Sequence, residues 1–301
     1  MRGVYGVRTV KKMLLFLQSL LNGILLGGIY AAYSAGFSLI FGVMGVVNLF
    51  HGEMVMLGAF ITYFGFTLFQ IDPFMTIPFS IVFLFVFGYG VQRFIINRVV
   101  EAPPMISYIL TFGIHLIIAY SALWVWTADF RTVTTSYSGV NGNFWGIIIP
   151  YARLATFGIA LLVVMGLYLF LHKSETGRAI RATAQDKEIA RLKGVNIYHI
   201  YAVTFGIGAA ITGMAGSLIS TYFIIFPQMG LPYTILAFCV VVLGGMGYIP
   251  GALWGGLILG VIQSLTATYL SAGLSGALTF ILLFVMLIVR PAGIAGKGII
   301  Q

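Results

Sequence analysis

The chain has 301 residues, of which 60% are hydrophobic and only 8% are charged, and its mean hydropathy is +1.05. This composition excludes a water-soluble globular domain of this size and indicates an integral membrane protein. Apolar segments long enough to cross a hydrocarbon core of about 30 Å recur along the chain, which predicts membrane-spanning helices instead of a barrel of short, alternating strands.

The net charge of +9 does not indicate nucleic acid as a partner. Most of the cations lie in short loops between apolar runs, where charge sets the orientation of a membrane protein. The sequence also contains no basic helix and no row of aromatic residues that would bind a nucleic-acid backbone. We therefore expect contact with membrane lipid and none with nucleic acid.

Ten apolar segments follow one another along the chain. They are residues 13–31, 32–47, 54–69, 74–92, 105–126, 147–171, 196–226, 231–246, 251–270 and 274–289. The second and the eighth are short and rich in glycine, which predicts broken or re-entrant helices. The first segment continues past Phe37 without a polar cleavage region, so we expect a retained helix and not a signal peptide.

These segments predict an all-α integral membrane protein, a polytopic helical bundle of about 8–10 crossings that forms one domain over residues 1–301. Clusters of Lys and Arg predict its orientation. They precede the first segment, follow the fourth and the last, and crowd the loop after the sixth; representative members are Arg2, Lys11, Arg93, Arg98, Arg178, Arg191, Arg290 and Lys297. If all of them are cytoplasmic, ten crossings place both termini in the cytoplasm and residues 127–146 outside.

The stretch NLFHGEMVMLGAF carries three polar residues, Asn48, His51 and Glu53, and Glu53 is the only acidic residue between Met13 and Phe69. An ionised carboxylate in hydrocarbon costs at least about 2.5 kcal/mol, so Glu53 is expected to face protein or water. Two interpretations stay open. Either a broken helix restarts here and the three residues line or brace a path through the membrane, or Asn48 is an N-cap and the stretch lies in water at the cytoplasmic interface.

The loop of residues 172–195 predicts one short, well-capped helix on the cytoplasmic side. Asp186 is placed as its N-cap, Arg191 lies in its last turn, and Gly194 can take the left-handed closing conformation. Between them, Ile189, Ala190 and Leu192 present apolar surface with no membrane span to bury them. Such a surface suits either a groove on another protein or the surface of an anionic membrane.

The glycine-rich stretch LGGMGYIPG contains Gly244, Gly245 and Gly247. Small residues allow helices to pack closely, which is one interpretation. In the other, adjacent glycines followed by Pro250 weaken helical hydrogen bonding and leave backbone groups free to meet the carboxylate or ammonium of a substrate. A nucleotide site is rejected, because Pro250 stands at the third glycine position of a dinucleotide fingerprint and the context is a membrane span.

Three stretches resemble the permease subunits of bacterial high-affinity branched-chain amino-acid ABC transporters, and most of all their LivH-type subunit. They are NLFHGEMVMLGAF, residues 182–218 and residues 240–265, and the resemblance runs from about Leu20 to Pro291. The family pattern Asn-x-x-His-Gly-Glu is matched at residues 48–53. The cytoplasmic pattern Ala-x-x-x-Gly, which contacts the ATPase in that family, is matched by Ala190 and Gly194 with Asp186 ahead of them.

The resemblance implies an importer in a bacterial inner membrane, not an enzyme. A binding protein delivers the substrate outside, two permease subunits form the path, and two ATPase subunits drive it, with a related LivM-type subunit favoured over a second copy as the other permease. The sequence agrees in having no complete phosphate-binding loop, since GIAGKG at residues 293–298 lacks the spacing and the hydroxyl residue. We therefore expect no cofactor in this chain and ATP in the partner subunits.

The implied substrates are branched-chain amino acids, with urea, short amides or aromatic acids as alternatives within the same family. A passive channel for a small polar solute is a second class of function, although a channel needs no docking helix. An intramembrane enzyme is a third, but no nucleophile stands with a base. Of the remaining polar residues, His115 is interpreted as a packed, hydrogen-bonded side chain, and Arg153 and Asp129 are expected to meet a binding protein or each other.

Overall fold

The structure, a computed structural model, describes residues 2–290 and 292–294, with side chains from residue 11 onward. Over these ranges it has eleven α-helices and one two-stranded antiparallel sheet. Nine of these helices are long and apolar enough to cross a membrane: α1 (Arg2–Met44), α2 (His51–Phe69), α3 (Ile77–Phe94), α4 (Pro104–Trp126), α5 (Tyr151–Lys173), α8 (Ile197–Ile219), α9 (Gly230–Gly244), α10 (Ile249–Tyr269) and α11 (Ala272–Val289). The predicted all-α polytopic membrane protein is confirmed.

The two remaining helices, α6 (Glu175–Gln185) and α7 (Lys187–Leu192), lie in the loop after α5. The sheet is a hairpin of β1 (Asn141–Phe144) and β2 (Ile147–Pro150) in the loop between α4 and α5. Its two-residue turn, Trp145 and Gly146, has positive φ at both positions, as hairpin turns that match the twist of their strands require. The sixth apolar segment was therefore predicted to begin too early, because residues 147–150 form β2.

The first two apolar segments form one continuous helix, so the prediction of two segments, the second of them broken or re-entrant, is wrong. The glycines of α1 serve close packing instead. Gly23 and Gly27 face Gly256 and Gly260 of α10 so closely that a Cβ built on any of the four lies within 3.0 Å of the other backbone. Small residues four apart on both helices allow this approach. The helix ends later, and residues 45–50 form the non-helical connection to α2.

Helix α8 lies at the centre of the bundle and is buried along almost its whole length. It packs against α1, α2 and α3. The contact with α3 is made by small side chains, with a hydrogen bond of 2.6 Å between Ser80 and Ser217 and with Gly88 against Ala209. Helix α11, by contrast, has nearly all of its side chains exposed, as expected for a helix that faces lipid or another subunit.

The bundle has two ends, which we call the hairpin end and the α7 end. Helix α1 begins at the hairpin end, where the Gln18 amide donates to the Ile148 carbonyl at 2.8 Å and accepts from its N–H at 2.7 Å. The chain after α11 lies at the α7 end, where the Ile294 N–H binds the carbonyl of Leu243, the residue before the last of α9.

The cations in the N-terminal part of α1 and Arg290 after α11 therefore lie at opposite ends, and the even count of ten crossings is wrong. Nine spanning helices in the described residues place residues 11 and 290 on opposite sides of the bundle. Lys297 lies outside the described residues. Which end faces the cytoplasm stays a prediction, as does the single domain over residues 1–301.

Candidate functional site

Helices α2 and α9 both begin inside the bundle and run toward opposite ends. Glu53, in the first turn of α2, meets His115, which is eleven residues from either end of the 23-residue α4. At about 1.5 Å per residue, the start of α2 lies about 17 Å from either end of α4. Gly230, the first residue of α9, contacts the Glu53 carboxylate, so both helix N-termini meet at this depth.

We call Asn48, His51, Glu53 and His115 the buried polar cluster. The side chains of the first three are at most 1% exposed, and His115 is 7% exposed. The cluster is therefore enclosed by protein, and the interpretation that water satisfies these residues at the cytoplasmic interface is wrong. The interpretation of a helix that restarts in the interior has the geometry it needs, while a role in the path stays a prediction.

Asn48 stabilises the turn that leads into α2. Its side-chain oxygen accepts from the Phe50 N–H at 3.1 Å, and its carbonyl accepts from the His51 N–H. The N-cap position belongs to Phe50, which makes no side-chain capping bond, so the prediction of Asn48 as N-cap is wrong by two positions. An asparagine that binds the N–H two residues later forms an Asx turn, and this turn reverses the chain between α1 and α2.

His51 ties the start of α2 to α1 and α8. Its Nε2 lies 2.9 Å from the Tyr33 carbonyl and 3.2 Å from the Thr212 hydroxyl. A carbonyl can only accept, so Nε2 carries the proton in this arrangement. Phe37 packs edge-on against the imidazole ring. His51 thus points to α1 and α8 while Glu53 points to α4 and α9, as their two-residue spacing on a helix requires.

Glu53 and His115 form a buried pair that can share one proton. The Glu53 Oε1 lies 2.8 Å from the His115 Nδ1. The pair has zero net charge whether the proton is on the carboxyl group or on the ring, which removes much of the cost of placing a carboxylate in a membrane.

Glycines bring the two helix starts into direct contact. A Cβ on Gly52 would lie 1.8 Å from the Gly230 carbonyl oxygen, and a Cβ on Gly230 would lie 2.0 Å from the Glu53 Oε1. The Gly52 N–H donates to the Thr234 hydroxyl at 2.8 Å. A side chain at Gly52 would meet the backbone of α9 and could fit only if a helix moved, whereas one at Gly230 would displace the Glu53 carboxylate. Gly52 therefore sets the distance between α2 and α9.

The predicted capped helix is present as α7, at the end of the bundle away from the hairpin. The Asp186 carboxylate accepts from the N–H groups of Glu188 (2.9 Å) and Ile189 (3.0 Å), and Gly194 closes the turn at a φ of 83°. Ser174 caps α6 in the same way through the Gly177 N–H. Local capping chemistry therefore accounts for both short helices.

Helix α7 leaves its apolar side chains uncovered. Ala190 is buried against the chain, but Ile189 is 57% exposed and Leu192 is 86% exposed. Helix α6 differs, because Ile180 is fully buried and the Arg181 Nε donates to the Leu171 carbonyl of α5 at 3.0 Å. Among the described residues, α6 is therefore packed against α5, whereas the apolar side chains of α7 stay exposed.

A polar contact joins α7 to the loop between α3 and α4. Arg191 donates to the Glu101 carboxylate at 3.2 Å, and the Tyr198 hydroxyl donates to the same oxygen at 2.8 Å. The hydrogen bond from Tyr198, and to a smaller extent that from Arg191, stabilises the carboxylate and lowers the pKa of Glu101 below its usual value. The contact is exposed, so it orients α7 more than it stabilises the fold.

The glycine run forms the turn between α9 and α10. Gly245 and Gly247 have φ values of 108° and 79°, and a Cβ on Gly244 would lie 2.0 Å from the Gly251 carbonyl oxygen. The Gly245 N–H binds the Val241 carbonyl, which closes α9. Close packing accounts for Gly244, and the positive φ of the turn accounts for Gly245 and Gly247. Within residues 11–290 the run makes no hydrogen bond to the buried polar cluster.

The structure thus brings Asn48, His51 and Glu53 together and separates them from both α7 and the glycine run. His115 is a packed, hydrogen-bonded side chain as predicted, but sequence analysis did not identify Glu53 as its partner. The signal was available in part: a single histidine on an apolar helix and a single carboxylate on another form a natural pair in a membrane interior. Arg153 and Asp129 form no ion pair among the described residues.

Comparisons with known proteins agree over almost the whole chain. Residues 19–289 match the family model described as the permease component of branched-chain amino acid transport systems. The chain is 32% identical over 299 residues to the high-affinity branched-chain amino acid transport system permease protein BraD of Pseudomonas aeruginosa, covering 95% of this chain and 97% of that one. It is 31% identical over 305 residues to the permease proteins LivH of Salmonella typhimurium and Escherichia coli, covering 97% of this chain and 99% of each relative.

Proposed function

This chain belongs to the family of permease components of branched-chain amino acid transport systems, and on that premise we propose that it is the membrane-spanning subunit of an ATP-driven importer of branched-chain amino acids. It is a multi-pass membrane protein and a transport subunit, not an enzyme. The substrate is inferred from what the names of BraD and LivH say of those proteins.

The family implies ATPase and binding-protein partners, and one observation on this chain supports a contact between helix α7 and the ATPase. Helix α7 is capped at both ends and holds Ile189 and Leu192 outward, at the end of the bundle that carries the cationic loop. Two exposed apolar side chains on a fixed short helix suit a groove on a protein partner. We assign α7, with Asp186, Ile189, Ala190, Arg191, Leu192 and Gly194, as the element that couples the permease to two ATPase subunits.

The finer assembly follows from the same proposal. The α7 end faces the cytoplasm of a bacterial inner membrane, because Lys and Arg are concentrated in its loops. ATP is held by the ATPase subunits and this chain needs no cofactor. A second permease subunit of the LivM type completes the path, and a substrate-binding protein docks at the hairpin end.

The buried polar cluster is assigned to the gating of the path. His51 contacts α1 and α8, and Glu53 contacts α4 and α9, so the first turn of α2 links four helices through polar groups. A movement of α2 against α9 must exchange these hydrogen bonds, since the glycine contacts leave no free space. The glycine run at residues 244–247 packs α9 against α10 and moves with them.

The experiment is uptake of radiolabelled leucine into proteoliposomes that contain the permease pair, the ATPase subunits and the binding protein. We expect uptake that requires ATP, and a Leu192→Ser variant that loses at least about tenfold of the stimulated ATPase activity while it assembles normally. Trp145→Ser, at the fully exposed tip of the hairpin, is the matched control at the other end. Leucine uptake by the permease pair without ATPase subunits would instead support a passive channel.

A further inference from the structure

A cavity of about 380 Å³ opens at the hairpin end, among α1, α5, α10, α11 and the segment that follows α8. Its size falls within the range of small-molecule sites. Its polar lining consists of Asn22, Tyr30, Arg153, Tyr222, Gln263, Ser264, Thr268 and Ser275. The cavity is separate from the buried polar cluster, none of whose four residues lines it.

Arg153 is the cation of this cavity and lies in the first turn of α5. Its guanidinium lies 5.5 Å from the centre of the Tyr222 ring, which orients it by a cation–π contact. Among the residues whose side chains are described, no carboxylate lies within ion-pair distance of Arg153. A guanidinium that is fixed at the edge of a membrane and faces a cavity is suited to a carboxylate from a ligand.

The wall of the cavity that α1 and α10 form offers oriented acceptors. The Ser264 hydroxyl donates to the Ser19 carbonyl at 2.7 Å, which leaves its oxygen lone pairs free to accept from a ligand. The Asn22 Oδ1 receives only a long contact of 3.4 Å from Gln18 and can accept as well. Gln263 is held by Tyr30 at 2.6 Å and Thr279 at 2.7 Å, so this wall is fixed before a ligand arrives.

The cavity thus combines a cation from α5 with neutral acceptors from α1 and α10. Its remaining lining includes Leu26, Phe223 and Ala267, which are apolar. A free α-amino acid carries a carboxylate, an ammonium group and a side chain on one carbon, and the three parts of the lining complement these three groups. A ligand without a carboxylate would leave Arg153 unpaired, which is the basis of selection.

We propose that this cavity is a receiving site for a zwitterionic α-amino acid, in which Arg153 binds the carboxylate, Asn22 and Ser264 accept from the ammonium group, and Leu26 and Phe223 contact an apolar side chain. The inference rests on the proposed function and deepens it. It places substrate recognition in the permease itself, at the end that a binding protein would meet. It also separates recognition at the hairpin end from gating at the buried polar cluster.

The test is photolabelling of the assembled complex in nanodiscs with a diazirine analogue of leucine, without binding protein, followed by peptide mapping. We expect labelling near Leu26 and Phe223 that leucine suppresses and leucinamide does not. In Arg153→Gln the labelling falls by at least about tenfold, because one charge-assisted pair is lost. Arg153→Lys keeps the charge and retains part of the labelling.

The matched control is Arg131→Gln. Arg131 belongs to the same hairpin-end loops and also faces an aromatic ring, Tyr63 at 5.2 Å, but it does not line the cavity. Its variant is expected to label like the unchanged chain. Equal suppression by leucinamide, or unchanged labelling in Arg153→Gln, overturns the proposal.

A second measurement separates this site from a protein-docking role. If Arg153→Gln abolishes capture of the substrate-binding protein while labelling persists, Arg153 is a docking residue and the proposal is overturned. The labelling does not depend on transport. Failure of the unchanged complex to take up leucine therefore counts against the proposed function, while specific, carboxylate-dependent labelling still supports the cavity.

Discussion

The buried polar cluster and helix α7 differ in opposite ways from an ordinary membrane protein, since the cluster buries polar groups and α7 exposes apolar side chains. The cluster places charged and polar groups in the interior of the bundle and must satisfy them with protein, through His115, Tyr33, Thr212 and the ends of two helices. Helix α7 places apolar side chains in the open and keeps them there with an aspartate cap and a closing glycine. The first region draws its hydrogen-bond partners from this chain, although the Asn48 Nδ2, His51 Nδ1 and Glu53 Oε2 make no hydrogen bond among the described residues, whereas the second is suited to a partner.

This difference predicts which property a substitution changes: the stability of the chain or the activity of the complex. In the cluster, contacts between glycines of α2 and α9 leave no free volume, so changes act on folding as well as on movement. At α7, exposed side chains contribute little to the stability of the isolated chain, and their loss appears only when the complex works. Five tests, in order of decreasing expected effect, probe the two regions.

The largest effect is expected from Gly52→Ala. The added methyl group would lie 1.8 Å from the Gly230 carbonyl oxygen, which forces α2 and α9 apart. We expect a loss of about 3 kcal/mol or more in the free energy of unfolding, measured by titration with SDS in mixed micelles. Gly113→Ala is the matched control, because a Cβ there meets no atom within 4 Å. Equal stability of the two variants would contradict the tight contact.

The Glu53–His115 pair is tested by a double-mutant cycle. Glu53→Leu and His115→Leu each leave a buried polar partner unpaired, which costs about 1–3 kcal/mol, whereas the double variant removes both groups. We expect a coupling energy of about 2 kcal/mol in the same unfolding assay. Pairing Glu53→Leu with His199→Leu, an exposed histidine bound to Tyr89, should give no coupling. A coupling below about 0.5 kcal/mol for the first pair would show that the pair is not formed.

Glu53→Gln separates movement from stability in the same cluster. The amide keeps the volume of the carboxyl group and can donate or accept at His115, but it cannot exchange a proton. Leucine uptake should therefore fall by more than about tenfold while the free energy of unfolding changes by less than about 1 kcal/mol. Uptake equal to that of the unchanged chain would show that the buried polar cluster does not gate the path.

Asp186→Ala removes the N-cap of α7 and should have a smaller effect. Two N–H groups lose their acceptor, which costs about 1 kcal/mol of local helix stability. We expect stimulated ATPase activity to fall by about two- to fivefold, because α7 is formed for less of the time. Glu188→Ala, a change in the same turn that leaves the cap intact, should fall by less than twofold. Equal losses in the two variants would contradict the capping role.

The smallest effect is expected at the exposed contact between Glu101 and Arg191. Because Tyr198 and Arg191 lower the pKa of Glu101 below 4.5, the contact contributes fully above pH 4.5 and is lost as the pH falls through the lowered value. Hydrogen exchange of residues 186–194, corrected for intrinsic rates, should accelerate across that range in the unchanged chain. Glu101→Gln should abolish this acid-dependent step, and persistence of the step would assign it to another group.

Local signals in the sequence were enough for some of these elements. The cap at Asp186, the closing Gly194 and the apolar residues between them act over one helical turn, so α7 could be predicted almost to the residue. The single carboxylate in a long apolar span marked Glu53 in the same way. Both features depend on neighbours that are close in the chain.

Other features depend on contacts that no local pattern contains. The glycines of α1 resemble helix breakers in sequence, and only the facing glycines of α10, more than 200 residues away, make them packing positions. The partner of Glu53 is His115 on another helix. The absence of a side chain at Gly230 is what allows α9 to lie against the Glu53 carboxylate. The count of crossings failed for the same reason, because one continuous helix α1 was divided at a glycine-rich stretch.

The most direct test of the account is to ask what lies against Leu192. The chain has one cysteine, Cys239, which is buried, so Leu192→Cys introduces an accessible thiol on α7. A thiol-reactive photocrosslinker, attached at this position and activated by light in the assembled, active complex, should insert into an ATPase subunit, while the same reagent on Trp145→Cys of the hairpin, 96% exposed, should not. No ATPase product from Leu192→Cys, or an ATPase product from Trp145→Cys, would contradict the coupling of this permease through α7.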